Sequence, residues 1–162
     1  MSEQSIPIES IGVIHTPFTD LKNMPIQPAG AEEVEGKAVV FEEYVEGLKD
    51  LEGFSHIYLI TYFHKAPKTE MTVTPFLDTV PRGVFATRSP LRPSHIGLSL
   101  VKLSAIEGST VRFLGADILD GTPLLDIKPY VGVFERVDDV RTGWLQATEQ
   151  TVQTKRSDER FT

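Results

Sequence analysis

The chain has 162 residues, 40% of them hydrophobic and 24% charged, with no cysteine and a formal net charge of -7. The lack of cysteine excludes disulfides, thiolate zinc sites and cysteine nucleophiles, and no run of about 18 apolar residues is present to span a membrane. Length and balance are those of one globular domain, and the acidic total argues against a long surface that coats nucleic acid.

Strand signals dominate when the chain is taken in order. Ser10 to Phe18 reads as a first strand and Lys37 to Tyr44 as a second, rich in valine and aromatic residues. Val45 to Leu51 allows one or two helical turns with Leu48 and Leu51 facing inward. Phe54 to His64, FSHIYLITYFH, is aromatic and β-branched almost throughout, which predicts a strand buried on both faces. Met71 to Leu77 alternates in part, but Pro75 demotes it to an edge. Gly97 to Ile106 and Thr110 to Ala116 flank EGST, a hairpin turn. Arg141 to Lys155 is the one longer helical candidate, and a polar tail follows it. The fold expected is mainly β: a single-domain barrel or sandwich over residues 1–162, with short helices and a C-terminal helical tail from 141.

The N-terminus, MSEQSIPIES, has neither a basic region nor an apolar core, so no secretory signal is visible and a cytoplasmic home is expected. Residues 1–54 carry eleven acids against three lysines. Between Thr79 and Ile106 there is no acid at all, yet Arg82, Arg88, Arg92, His95 and Lys102 lie there. The stretch GVFATRSPLRPSHIGLS combines arginines with glycines and prolines, as an anion site does: prolines fix φ and arginine forks match carboxylate or phosphate. The alternative is a solvated loop whose arginines pair with surface acids. MPIQPAG, Met24 to Gly30, is a rigid loop bearing the amide of Gln27. FHKAP, Phe63 to Pro67, leaves the central strand. ADILDGTPLLDIKPY, Ala116 to Tyr130, sets Asp117, Asp120 and Asp126 around a glycine turn, where carboxylates can accept hydroxyls or amines or act as bases. The plainer reading is that Asp120–Gly121 is a turn and Asp126 pairs with Lys128. Neither GxGxxG, GxxxxGK[ST] nor HExxH occurs. His56 and His64 are about 26 Å apart at strand rise, so they cannot share a metal, and no metal is expected.

IGVIHTPF, MPIQPAG, GLKDLEGFSHIYLITYFH, GVFATRSPLRPSHIGLS and DILDGTPLLDIKPY, in this order and spacing, resemble the TrmO (YaeB-like) family of tRNA methyltransferases over about Ile11 to Tyr130. The resemblance implies a β-barrel enzyme that uses S-adenosyl-L-methionine and methylates the exocyclic amine of threonylcarbamoyl-adenosine, beside the anticodon of threonine tRNA. It also implies a homodimer with the cofactor near the subunit interface. Carried over by motif, the cofactor contacts are Pro25, Ile26 and Gln27, His64 and Lys65, Arg88, Leu98, and Asp117, Ile118, Leu119 and Asp120. One departure stands out: the family's usual RPNPIG is here Arg92, Pro93, Ser94, His95, Ile96, Gly97.

With an activated methyl donor, catalysis is mostly positioning, and an amide-like nitrogen needs a carboxylate to take its proton. Asp120 and Asp126 are the candidates, with Arg92 and His95 as contacts to substrate phosphate or carboxylate. The alternatives are a methyltransferase for a small molecule or another RNA, and a non-catalytic binder of S-adenosyl-L-methionine.

Overall fold

A computed structural model describes residues 4–20, 33–76 and 78–145. Eight strands occur among them: β1 Gly12–His15, β2 Glu35–Val40, β3 His56–Tyr62, β4 Thr72–Val73, β5 Arg82–Gly83, β6 Ile96–Glu107, β7 Thr110–Leu114 and β8 Thr122–Pro129. Six of them close an antiparallel barrel in the order β1-β2-β7-β6-β3-β8, and β4 and β5 pair separately. Closure removes every unpaired edge from the main sheet. Alternate side chains point inward, and Ile14, Ala38, Ile57, Leu59, Val111, Phe113 and Leu124 are fully enclosed. Burying a side chain of this size contributes about 1.5–3 kcal/mol.

The hairpin at Glu107–Thr110 forms as expected, with Gly108 at φ 62°, a backbone region glycine enters without steric cost. Leu48 and Leu51 face inward from two 3-10 turns, Glu42–Leu48 and Leu51–Gly53. Other expectations need correcting. The Phe54 to His64 segment is buried on one face only. Ile57, Leu59 and Thr61 point in, while Tyr58, Ile60 and Tyr62 lie on the outer wall. Met71 to Leu77 shrinks to the two residues of β4. The segment after Gly121 is not a loop but β8, paired with both β1 and β3. Residues 141–145 form a turn, closed by the Leu145 N–H on the Thr142 carbonyl at 3.0 Å. The rest of the expected C-terminal helix lies outside the described residues.

The barrel positions the site through strand direction. One end is made by the C-terminal ends of β1, β3 and β7 and the N-terminal ends of β2, β6 and β8. There the inward side chains turn polar: Thr61, Ser99 and Thr122 are all buried. A second, smaller core of Val73, Val84, Leu91 and Phe76 lies within the long connection from β3 to β6.

Candidate functional site at one end of the barrel

The loop from Gly115 to Gly121 caps the polar end. Its root is fixed by the Gly115 and Ala116 N–H groups, both donating to the Val34 carbonyl at 2.9 and 3.2 Å. Ala116 and Ile118 sink into the core and anchor it. Between them Asp117 turns towards the barrel interior, where the Ser99 hydroxyl donates to Oδ1 at 2.9 Å. Enclosure by protein pushes the Asp117 carboxyl up to about 7; the Ser99 bond, a bond within its own residue and the positive charge of Arg88 oppose that shift. The residue as a whole keeps part of its surface open. Together these make a carboxylic acid whose charge state changes near neutrality, under the influence of a guanidinium charge.

The other loop residues hold the frame. Asp120 Oδ1 accepts the Thr16 N–H at 3.1 Å and lies 3.2 Å from His15 Nδ1, tying the end of β1 to the capping loop. The Thr16 hydroxyl donates to the Ile118 carbonyl at 2.6 Å, and the Thr122 hydroxyl donates to the Leu119 carbonyl at 2.6 Å. Gly121 sits at φ 82°, and a methyl group there would come within 3.9 Å of His64 Nε2. That proximity sets His64, two residues beyond β3, beside the capping loop. Partial burial and then the neighbouring Lys65 lower the His64 pKa from 6.5, which favours its uncharged form. Lys65 is exposed beside it.

The cationic loop divides its charges. Arg82 Nε donates to Asp78 Oδ2 at 2.6 Å, just outside the acid-free window, and its guanidinium lies 5.6 Å from the Trp144 ring centroid. Arg92 Nη1 donates to the carbonyls of Thr87 and Ser89 at 2.9 and 3.3 Å, bracing the turn that carries Arg88. His95 adopts φ 52°, a conformation closed to proline, whose ring holds φ near -65°. Its Nδ1 is 2.9 Å from the Pro90 carbonyl and its Nε2 is 3.3 Å from the Thr69 hydroxyl. A proton on Nδ1 satisfies both contacts, so the ring pins the loop. Arg88 is the exposed member and acts on Asp117.

Thus the fold brings together His64 and Asp117 to Asp120 at one end, with the charge of Arg88 acting on Asp117. Leu98 stands 48% exposed on the outer face of β6, on the opposite side of that strand from Ser99. Asp126 points outward from β8, where Lys128 Nζ approaches at 3.1 Å and the Ile127 N–H donates to Oδ1 at 2.9 Å. Pro25, Ile26 and Gln27 lie outside the described residues. Ser99 escaped sequence reasoning, although the alternation of Gly97, Ser99 and Val101 places it inward. No cluster of three metal-binding side chains occurs among the described residues, and no helix there is long and apolar enough to cross a membrane.

Known proteins share this chain's pattern. The family described as the tRNA-methyltransferase O N-terminal domain matches residues 13–136. A protein of Pyrococcus abyssi, named as a probable S-adenosyl-L-methionine-binding protein, is 49% identical over 151 residues, covering 93% of this chain and 82% of that one. The tRNA (adenine(37)-N6)-methyltransferase of Escherichia coli is 35% identical over 153 residues, covering 88% of this chain and 65% of its own length. A crystal structure of TrmO from Pseudomonas aeruginosa superposes with a TM-score of 0.74 at 36% identity, over 88% of this chain and 64% of that one. The chain therefore spans slightly less than two thirds of the bacterial proteins it matches.

Proposed function

The chain belongs to the TrmO family, and from that premise we propose that it transfers a methyl group from S-adenosyl-L-methionine to the exocyclic amine of adenosine 37 in tRNA, the position named for its Escherichia coli relative. The preferred substrate in this reading is threonine tRNA carrying threonylcarbamoyl-adenosine, in the cytoplasm. The observation that carries the reading is the enclosed Asp117 carboxyl, bonded to Ser99 at the loop-bearing end of the barrel and subject to the positive charge of Arg88.

The donor set fits the cofactor. The carboxylate of Asp120, which anchors Thr16 through Oδ1, can take an ammonium or ribose hydroxyls, Arg88 can take a carboxylate, and the uncharged His64 beside Gly121 offers a nitrogen without adding positive charge near a sulfonium. Pro25, Ile26, Gln27, Lys65, Ile118 and Leu119 complete the proposed cofactor set. When bound, S-adenosyl-L-methionine supplies an activated methyl on a sulfonium, so the chain's own task is to position, desolvate and accept a proton.

Two carboxylates face this end. Asp120 already holds the Thr16 N–H and serves as an anchor. Asp117 has a proton affinity near working pH, which suits a general base. We therefore assign proton acceptance to Asp117, with Asp120 holding the loop. Arg92 and His95 act by shaping the Arg88 turn rather than by meeting the substrate directly.

The outer wall supports a homodimer. Tyr58 pairs with Leu100, Ile60 with Leu98 and Tyr62 with Ile96, an apolar ladder across β3 and β6. Tyr62, Leu98 and Leu100 remain 41, 48 and 37% exposed. A second copy laid on this ladder would cover it in an isologous contact and turn Leu98 towards a site shared between subunits. The reading is tested by incubating the purified chain with methyl-labelled S-adenosyl-L-methionine and total tRNA. Label recovered in N6-methylated threonylcarbamoyl-adenosine supports it; no label in any nucleoside overturns it.

A further inference from the structure

Phe85 is out of place for an apolar side chain. It is 70% exposed, next to the fully buried Val84 and the exposed Ala86 in the 3-10 turn Val84–Ala86. The turn is held on several sides. The Val84 N–H donates to the Met71 carbonyl at 2.9 Å, and the Thr87 hydroxyl donates back to the Val84 carbonyl at 2.8 Å. The Trp144 indole N–H donates to the Ala86 carbonyl at 2.8 Å. Val84 itself belongs to the small core with Val73 and Leu91. The phenyl ring therefore projects from a braced backbone, so docking against it costs little ordering entropy.

Its surroundings select the ligand. The turn lies in the window from Thr79 to Ile106 that contains no acid, between Arg82, whose charge is paired with Asp78, and the exposed Arg88, on a chain whose net charge is -7. An apolar protein partner would gain nothing from that cationic setting. An unpaired nucleobase gains from both parts: its π-face stacks on the ring and its phosphate meets the guanidinium. Resting on the methyltransferase reading above, we propose that Phe85 is a stacking platform for an unpaired base of the anticodon loop, with Arg88 beside it. The site would grip one base and few phosphates, which reconciles RNA binding with an acidic protein.

The test uses the full chain and an anticodon stem-loop of threonine tRNA with 2-aminopurine in the loop. Stacking on an aromatic ring quenches that base, so the wild type should quench it, and Phe85→Trp should do the same. Phe85→Ala should abolish the quenching and weaken RNA binding about 10- to 100-fold, in the range for loss of one base–aromatic stack. Affinity for S-adenosyl-L-methionine, measured by calorimetry, and the melting temperature should be unchanged. Equal RNA affinity in the wild type and Phe85→Ala overturns the platform while leaving the methyltransferase reading intact. A loss of cofactor affinity instead assigns the ring to the cofactor's adenine, and conversion to a monomer assigns it to a second copy of the chain; either refutes the proposal. A wild type that binds no RNA at all removes both the platform and the reading beneath it.

Discussion

Replacing Asp117 by asparagine separates the chemistry of this site from its stability. The carboxyl ordinarily titrates at 3.8 and is pushed up to about 7 in the fold, chiefly by desolvation. Because the folded value lies above the unfolded one, the folded state binds the extra proton. Stability from this group is full below about pH 4 and is lost as pH rises to about 7 and beyond. At about 1.36 kcal/mol per pH unit, the gap between 3.8 and about 7 comes to about 4 kcal/mol. The residue as a whole keeps some surface in contact with water, so part of that penalty is screened and about 2–4 kcal/mol is expected. Asparagine retains an oxygen to accept the Ser99 hydroxyl but carries no charge. The variant should therefore match the wild type at pH 4 and exceed it by about 2–4 kcal/mol at pH 8.5. Urea denaturation at the two pH values measures this directly. The same variant should lose methyl transfer by about 10²–10⁴-fold, the range for a general base, and wild-type activity should rise as pH passes through about 7. A stability difference that does not change between the two pH values would refute the buried-carboxyl argument.

Arg88→Ala should weaken S-adenosyl-L-methionine binding by about 1.5–3 kcal/mol in calorimetry, and Arg88→Lys should restore it only in part, because the planar fork is lost. Gly97→Ala should cost about 1–3 kcal/mol of stability in thermal unfolding, since the new methyl would stand 2.7 Å from both Phe63 Cζ and the buried Thr61 hydroxyl. Leu98→Arg places a charge on the β3–β6 ladder and should shift light scattering from twice the 18.0 kDa chain mass to the mass of one chain. Asp126→Asn should leave methyl transfer within about twofold, because it breaks only an exposed pair with Lys128.

Local patterning carried much of the barrel. The alternating β6, the Gly108 hairpin and the inward Leu48 and Leu51 follow from period and turn chemistry alone. β8 did not, and the cause is visible in its ladder. Thr61 pairs with Leu124 and Ile60 with Asp126, so Leu125 bulges and the inward phase shifts from Leu124 to Ile127. With Pro123 and Pro129 near its ends, the strand shows neither alternation nor β-rich composition. The two-sided burial expected for FSHIYLITYFH failed because hydrophobicity does not distinguish a core face from the apolar outer wall formed by Tyr58, Ile60 and Tyr62.

At the site, charge pattern located the loops but not the work of each residue. Arg88 and Arg92 look alike in sequence, yet Arg92 spends donors on two carbonyls while Arg88 acts on Asp117. Asp117 and Asp120 sit in one short motif and differ in burial, which depends on Ser99 arriving from a strand 18 positions away.

Methylation of a modified adenosine in tRNA is tested by comparing two pools of threonine tRNA, one carrying threonylcarbamoyl-adenosine and one lacking the threonylcarbamoyl group. Each is incubated with the chain and methyl-labelled S-adenosyl-L-methionine, digested, and read by nucleoside mass spectrometry. One added methyl on the exocyclic nitrogen is expected in the first pool and almost none in the second. Equal labelling of both pools, methyl on another base, or no transfer from a chain that binds the cofactor would contradict it.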